Sequence, residues 1–406
     1  MKPRNKLIVL CLVLVVTFSY TCKKLLVHIL VQETQVQSDI IVGQKIVSAF
    51  DEQGFLLQLD TRLPPEFESK YRNLSDGACR PEYAAAKMAT IYPKFRKLMP
   101  MFLDTDFRRL AKVNNWLPPF GFRTQERVIE KILSATRFYG LHKDLDNLSC
   151  KRCIIVGNGG ILSKKSLGSR IDQYDVVVRL NQAPVSGYSK DVGTKTTMRI
   201  TYPEGAIQKT EDYEKDSLFV FSAFKPLDFK WLKHMVFKDG RVTEGFWKSV
   251  ADKVPRKPSE IRILNPYFIQ EAAFQFIGLP FNNGLMGKGN IPTLGTVAIT
   301  MALHNCDEVA VAGFGYDMNA PNAPLHYYED VKMSAIKESW THNVHKEKEF
   351  LRKLRTANQE AGKWTDSGRG SSLSRSLCGP HAAGGSASTD MNLSRRKGVE
   401  KRTCAF

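Results

Sequence analysis

Two histidines, His326 in LHYYED and His342 in HNVHKEKEF, stand in polar segments downstream of the apolar run EVAVAGFG at 308–315. Loops that follow such strands commonly carry the chemistry of an α/β enzyme, because the strand fixes them while leaving their side chains free to act. His342 sits just ahead of the helical pattern VHKEKEFLRKL. A helix N-terminus disfavours imidazolium, so a histidine there stays neutral and able to take a proton. His345, three residues on, offers another reading, a pair of metal ligands. Glu347 follows His342 by five residues, about 140° round an ideal helix, so it need not touch the imidazole.

The stretch CKRCIIVGNGG, 150–160, runs an apolar strand into Gly157-Asn158-Gly159-Gly160, the form of a phosphate-binding turn. It is not the dinucleotide fingerprint. The sixth position is Leu162, and the second strand ends in Arg179-Leu180-Asn181, where an acidic residue would grip a ribose. Neutral Asn181 can hydrogen-bond a ribose or phosphate without repelling an anion. A nicotinamide dehydrogenase is therefore disfavoured and another nucleotide ligand favoured. Further on, IPTLGTVAITMAL puts Pro292 and Thr293 at a helix start with Gly295 in the first turn. Such an end offers unpaired N–H groups to a phosphate, although a capped, buried helix reads equally well.

Metal chemistry has two weaker footholds. Asp104-Thr-Asp106 matches the Asp-x-Asp of cation-dependent nucleotide-sugar transferases, but it lies upstream of the nucleotide fold and is discounted. Cys150-x-x-Cys153 needs two more ligands for tetrahedral zinc. No second such pair exists, and His304-Asn-Cys306 is the nearest supplement.

The elements that must position these residues follow from periodicity. Apolar runs at CIIVGN, DVVVRLN (175–181), TMRITYPE (197–204), LFVFSAF (218–224), EIRILNP (260–266) and EVAVAGFG alternate with helical patterns such as DFKWLKHMVF and TLGTVAITMALHN. Continuous apolar strands between helices predict a Rossmann-like open, mostly parallel sheet with helices on both faces. Upstream, TQERVIEKILSATRFYGL sets Val128, Ile129, Ile132, Leu133 and Phe138 on roughly one helical face.

The chain of 406 residues carries a formal charge of +18, which suits an anionic partner, but no basic-aromatic run or finger spacing supports nucleic acid. Lys2, Arg4 and Lys6 precede the uncharged stretch 7–22, and LLVHILV lengthens it beyond Lys23 and Lys24. With no small-x-small cleavage site, this reads as an uncleaved anchor with the body in the lumen. Four body cysteines in an oxidising compartment favour two disulfides. Cys153 opens a strand and Cys306 ends the helix before another, so the pairing reads Cys153–Cys306 and Cys79–Cys150. Sequons at Asn73, Asn147 and Asn392 agree with that compartment. The expected organisation is a cytosolic tail at 1–6, a signal anchor at 7–27, a stem at 28–78, a catalytic domain at 79–355 and a Gly/Ser-rich tail at 356–406 that is disordered.

Taken in order, these stretches resemble the four motifs of the animal sialyltransferases. The long motif runs from Cys150 through TYPE, the short motif is IPTLGTVAITMALHNCDEVAVAGFGYD, the third is HYYE, and His342 with Glu347 forms the last. The resemblance implies a GT-A-like variant fold. It also implies inverting, metal-independent transfer of sialic acid from CMP-sialic acid to the 3-hydroxyl of a terminal galactose on Gal-GlcNAc glycans, with no cofactor. Carried over by motif, His342 is the general base and His326 meets the donor phosphate. Asn158, beside Gly159, and Asn181 hold phosphate and ribose, and Thr293 with Gly295 lines the cytidine pocket, with Gly315 nearby. It further implies a single-pass type II Golgi enzyme, acting on glycoprotein or glycolipid glycans, and admits a homodimer. Relatives end in a short apolar segment where this chain continues with its tail, so a weakly active CMP-binding form is the alternative.

Overall fold

A computed structural model describes residues 63–356, apart from 64, 76, 97–98, 243, 288, 315–319 and 336–340. The expected anchor at 7–27, most of the expected stem, the tail beyond Thr356, Gly315 and the Asn392 sequon lie outside the described residues. Among those described, no helix is long and apolar enough to cross a membrane.

All six runs read as strands are strands: β1 (Arg152–Val156), β2 (Val176–Leu180), β3 (Met198–Thr201), β4 (Leu218–Phe221), β5 (Ile261–Ile263) and β6 (Glu308–Ala312). They form one sheet in the order β5-β4-β3-β2-β1-β6, and every adjacent pair is parallel. Residues on one face, such as Cys153, Ile155, Val178 and Ile200, enter the larger core. Their neighbours Ile154, Val156, Val177 and Ala310 enter a smaller core on the other face. Both faces are covered, which is why the strands show no apolar–polar alternation.

Seven helices matter here: α1 (Pro65–Tyr71), α2 (Tyr83–Ile91), α3 (Glu126–Thr136), α4 (Pro226–Phe237), α5 (Tyr267–Gln270), α6 (Leu294–Asn305) and α7 (Val344–Thr356). Helix α5 runs directly into a π turn, Glu271–Ile277. Helix α6 is buried from Leu294 through His304, as expected for a helix apolar all round, and packs against β1 and β6. Helix α3 buries Ile129, Ile132 and Leu133, but Phe138 is 56% exposed. Arg137 takes a left-handed conformation, ends the helix at Thr136 and turns Phe138 off the expected face. Helix α1 falls within the stretch expected to be stem. The Tyr71 hydroxyl donates to the Pro81 carbonyl and its ring packs on Tyr83, so ordered packing begins ahead of residue 79.

The sulfurs pair as Cys79–Cys150 and Cys153–Cys306. The second bond ties the start of β1 to the C-cap of α6. Both thiols of the Cys-x-x-Cys are thus consumed, and neither is a thiolate available to zinc. His304 turns instead to the buried Glu271 carboxylate.

Candidate active site

The sheet order places a topological switch between β1 and β6: the chain leaves β1 toward β2, and crosses back from β5 at the far edge to reach β6. Ligands of open α/β sheets bind at such crevices because the diverging loops leave a cleft at the strand C-termini. Gly157 and Gly313 face each other there. The Gly157 N–H donates to Ala312 O at 2.7 Å and the Gly159 N–H to Gly313 O at 3.0 Å. A Cβ on either Gly157 or Gly159 would come within 2.6 Å of Gly313 O, so the two loops approach more closely than any side chain allows. Gly159 is therefore a residue of close approach. Its N–H is already engaged and is not a donor for a ligand.

A strap at 324–328 closes one wall. The Gly160 N–H donates to Leu325 O at 3.0 Å and the Tyr327 N–H to Asn158 O at 3.1 Å, which fixes His326 beside Gly159. Asn158 holds its side-chain Oδ1 buried without a protein partner among the described residues. A buried amide oxygen in that state is costly unless a ligand or water meets it. His326 is buried, stacks on Tyr328 and places Nδ1 against the Glu329 carboxylate. Burial lowers its pKa below the ordinary histidine value, and Glu329 offsets part of that shift. The carboxylate accepts the Nδ1 proton and so turns Nε2 away from Glu329.

Asn181 follows β2 in a left-handed conformation, with φ 51°. Its N–H donates to Ile200 O at 2.9 Å and its carbonyl accepts from Arg199 Nη1 at 2.7 Å. Arg199 is buried in β3 and pairs with Glu214. Burial alone would raise the Glu214 carboxyl, but the Arg199 charge outweighs it and holds the pKa down. Arg179 in β2 is buried as well, and desolvation lowers it to about 10. Its guanidinium donates to the carbonyls of Val192 and Lys195, bracing the turn before β3. The sequence reading gave neither arginine a role. The signal was a charge inside each apolar run, VVVRL and MRIT, which must be paired when buried.

The second wall is the N-terminus of α6. Thr293 is its N-cap and accepts from the Thr296 N–H. Glu347, on the first turn of α7, turns its buried carboxylate onto this end. It accepts the Thr293 N–H at 2.9 Å and the hydroxyls of Thr293 and Thr296. The N–H and the hydroxyl of Thr293 are both engaged by this carboxylate, and the residue joins α6 to α7. As its helical angle implied, Glu347 is turned away from the imidazole and onto α6. His342 lies just before α7 and donates from Nδ1 to Ile291 O at 2.8 Å. A carbonyl only accepts, so Nδ1 carries the proton and Nε2 of the neutral ring bears the lone pair. His345 pairs with Glu349 at 3.3 Å and not with His342.

Phe314 spans the two walls. Its ring lies 3.0 Å from where a Cβ on Gly157 would stand, tighter than ordinary van der Waals contact, and 2.6 Å from the corresponding point on Gly295. The cleft thus draws together Asn158, Gly159 and His326 on one side and Thr293, Gly295 and His342 on the other. Asn181 lies beyond β1, at the end of β2. Among the described residues, no group of three or more His, Cys, Asp or Glu could hold a metal ion. Asp104 instead accepts the Asp106 N–H at 2.8 Å, capping its own turn. Asn73 and Asn147 are exposed.

The profile of glycosyltransferase family 29 (sialyltransferase) matches residues 102–359, more than half of the chain. The chain belongs to this family. It is a glycosyltransferase, and the histidine and glycine positions above sit within the matched region. A β-1,4-galactoside α-2,3-sialyltransferase that uses CMP-N-acetylneuraminate, from Homo sapiens, is 62% identical over 356 residues, covering 86% of this chain and 95% of that protein. A lactosylceramide α-2,3-sialyltransferase, also human, is 41% identical over 282 residues, covering 68% of each chain. A crystal structure of a mammalian sialyltransferase in complex with Gal-β-1-3GalNAc-ortho-nitrophenol matches with a TM-score of 0.50 at 26% identity. It covers 65% of this chain and 90% of that one.

Proposed function

We propose that this enzyme transfers sialic acid from CMP-sialic acid to the 3-hydroxyl of terminal galactose on Gal-GlcNAc glycans, with inversion. The substrate class follows that of the β-1,4-galactoside α-2,3-sialyltransferase to which the chain is 62% identical, and the residue roles rest on the cleft. The carrying observation is the Nδ1–H bond from His342 to Ile291 O. It fixes the ring and leaves Nε2 as the base.

In this reading Nε2 of His342 takes the proton as the galactose 3-oxygen bonds to the anomeric carbon. The bond from that carbon to the phosphate oxygen breaks, and CMP leaves with the electron pair. The departing sugar has oxocarbenium character, so positioning one base and stabilising phosphate charge supply most of the catalysis. His326 takes the phosphate role. Glu329 holds Nδ1 and a proton gained at Nε2 would face the anion. Asn158 offers its unpartnered Oδ1 as acceptor to an O–H or N–H of CMP-sialic acid, and the glycines let the loops close on it. Asn181 offers its side chain to the nucleotide from the end of β2. The same proposal includes a single-pass type II Golgi anchorage through residues 7–27.

Linkage analysis of product made from CMP-sialic acid and lactosamine in EDTA tests the reaction. His342→Ala should lower kcat by about three powers of ten while CMP affinity stays near wild type. Near-normal turnover in that variant, or product formation that stops in EDTA, rejects the assignment.

A further inference from the structure

The loop between the π turn and α6 exposes large apolar side chains. Phe281, Leu285 and Met286 are 54%, 50% and 51% exposed. The turn that presents them holds Asn282, Asn283 and Gly284 at φ 43°, 49° and 74°, all left-handed. Successive left-handed residues are uncommon, and Asn and Gly tolerate them best. Trp116 braces the turn from below. Its ring meets Phe281 edge-on at 5.1 Å, and a Cβ on Gly284 would come within 2.6 Å of it. Phe274 contacts another flank of Phe281 at 5.4 Å. Phe281 is thus held by its neighbours while half its surface stays open.

The loop also reaches the base. Buried Asn290 donates to Leu285 O at 2.7 Å and accepts the Gly287 N–H at 2.8 Å. The next residue, Ile291, supplies the carbonyl that holds His342. The apolar ledge and the imidazole therefore hang from adjacent residues. Resting on the function proposed above, a galactose whose 3-hydroxyl meets His342 must lead the rest of its glycan away from the cleft past a neighbouring wall. A pyranose has an apolar C–H face and a polar rim. Phe281 matches the first, and the exposed side chains of Asn282 and Asn283 match the second.

We propose that Phe281, with Leu285 and Met286, forms the platform for the second sugar of the acceptor, an N-acetylhexosamine stacked on the Phe281 ring and bonded at its rim by Asn282 and Asn283. The ledge sets acceptor choice and leaves the donor and the chemical step alone.

The full chain in detergent, with saturating CMP-sialic acid, is assayed on Gal-β-GlcNAc and on methyl β-galactoside. Phe281→Ala should raise KM for the disaccharide roughly ten-fold at unchanged kcat, the scale expected for one buried aromatic contact. KM for methyl β-galactoside and for CMP-sialic acid should not move, and Phe281→Tyr should restore the wild-type value. Equal losses on both acceptors, or none on either, overturn the proposal. A loss seen only with a glycolipid acceptor in phosphatidylcholine vesicles also overturns it and marks the ledge as a lipid contact. Wild-type transfer to Gal-β-GlcNAc separates the two readings. With that transfer present, an unchanged disaccharide KM rejects the ledge alone, while its absence rejects the proposed function together with the ledge.

Discussion

Glu347 should be the residue whose loss most clearly uncouples the two walls of the cleft. Its carboxylate accepts the Thr293 N–H and the hydroxyls of Thr293 and Thr296, at the N-terminus of α6 and away from solvent. Charge-assisted bonds contribute about 1.5–3 kcal/mol each when taken singly, and they are not additive. A carboxylate on a helix N-terminus adds roughly 0.3–2 kcal/mol. In Glu347→Ala the hydroxyls of Thr293 and Thr296, 3.2 Å apart, can still bond each other, so the Thr293 N–H is the group left stranded. The cost is then about 3–4 kcal/mol, short of the simple sum. For a domain of this size that corresponds to a fall in Tm of roughly 10 °C. Glu347→Gln keeps one acceptor oxygen and should cost about 1 kcal/mol, or roughly 3 °C. Turnover should follow the same order, because Ile291, which anchors His342, is two residues from Thr293. Calorimetry and initial rates on both variants check this. An alanine variant within about 2 °C of wild type, with kcat unchanged, would show that the carboxylate does not hold the walls together.

Two further outcomes follow from groups at and near the cleft. His326 has a folded pKa below its ordinary 6.5, because desolvation outweighs Glu329. Its stabilising contribution is therefore present above 6.5 and lost as pH falls through the folded value, and His326→Gln should flatten that part of the acid-unfolding curve. A bound phosphate would reverse the preference, so CMP binding near pH 7 should take up protons in wild type and not in His326→Gln. Calorimetry in two buffers of different ionisation enthalpy measures the uptake, and equal uptake in both proteins refutes the role. Replacing Cys153 and Cys306 together by Ala opens a crosslink spanning 153 residues. On the chain-entropy account this destabilises by about 4–5 kcal/mol, and an unchanged urea midpoint would count against it.

Much of the sheet was legible because each strand is mostly apolar, shows no apolar–polar alternation over its buried run and is bounded by turns, as CIIV and LFVF are. Parallel order came with it, since helices lie between the strands. Phe138 was misplaced because nothing in TRFYGL announces a left-handed Arg137, which takes a conformation disfavoured for that residue type. The π turn at Glu271–Ile277 has no periodic signature short enough to separate it from an α-helix. Within the cleft, Asn158, His326 and His342 drew notice by residue type in a polar loop. The group that orients His342 is a backbone carbonyl, which any residue at 291 could provide, so composition is silent about it. An N-cap and an anion site share one appearance in sequence, and the cap bond from Thr296 together with the Glu347 contact identifies Thr293 as the N-cap.

The bond between Cys153 and Cys306 has a consequence for how the molecule is made. A chain delivered from its N-terminus at about 5–20 residues per second exposes Cys153 some 8–30 s before its partner emerges. Strand β1 waits over the same interval, because β6, its neighbour on that side, arrives with Cys306. Cys150 and Cys79 can close first, and doing so removes the nearest wrong partner of Cys153. The nascent protein therefore carries an open sheet margin and a reduced thiol until nearly the last secondary element is threaded through. A helper that shields such margins, or an isomerase that reopens a Cys150–Cys153 link, would act in that window and not on the finished enzyme.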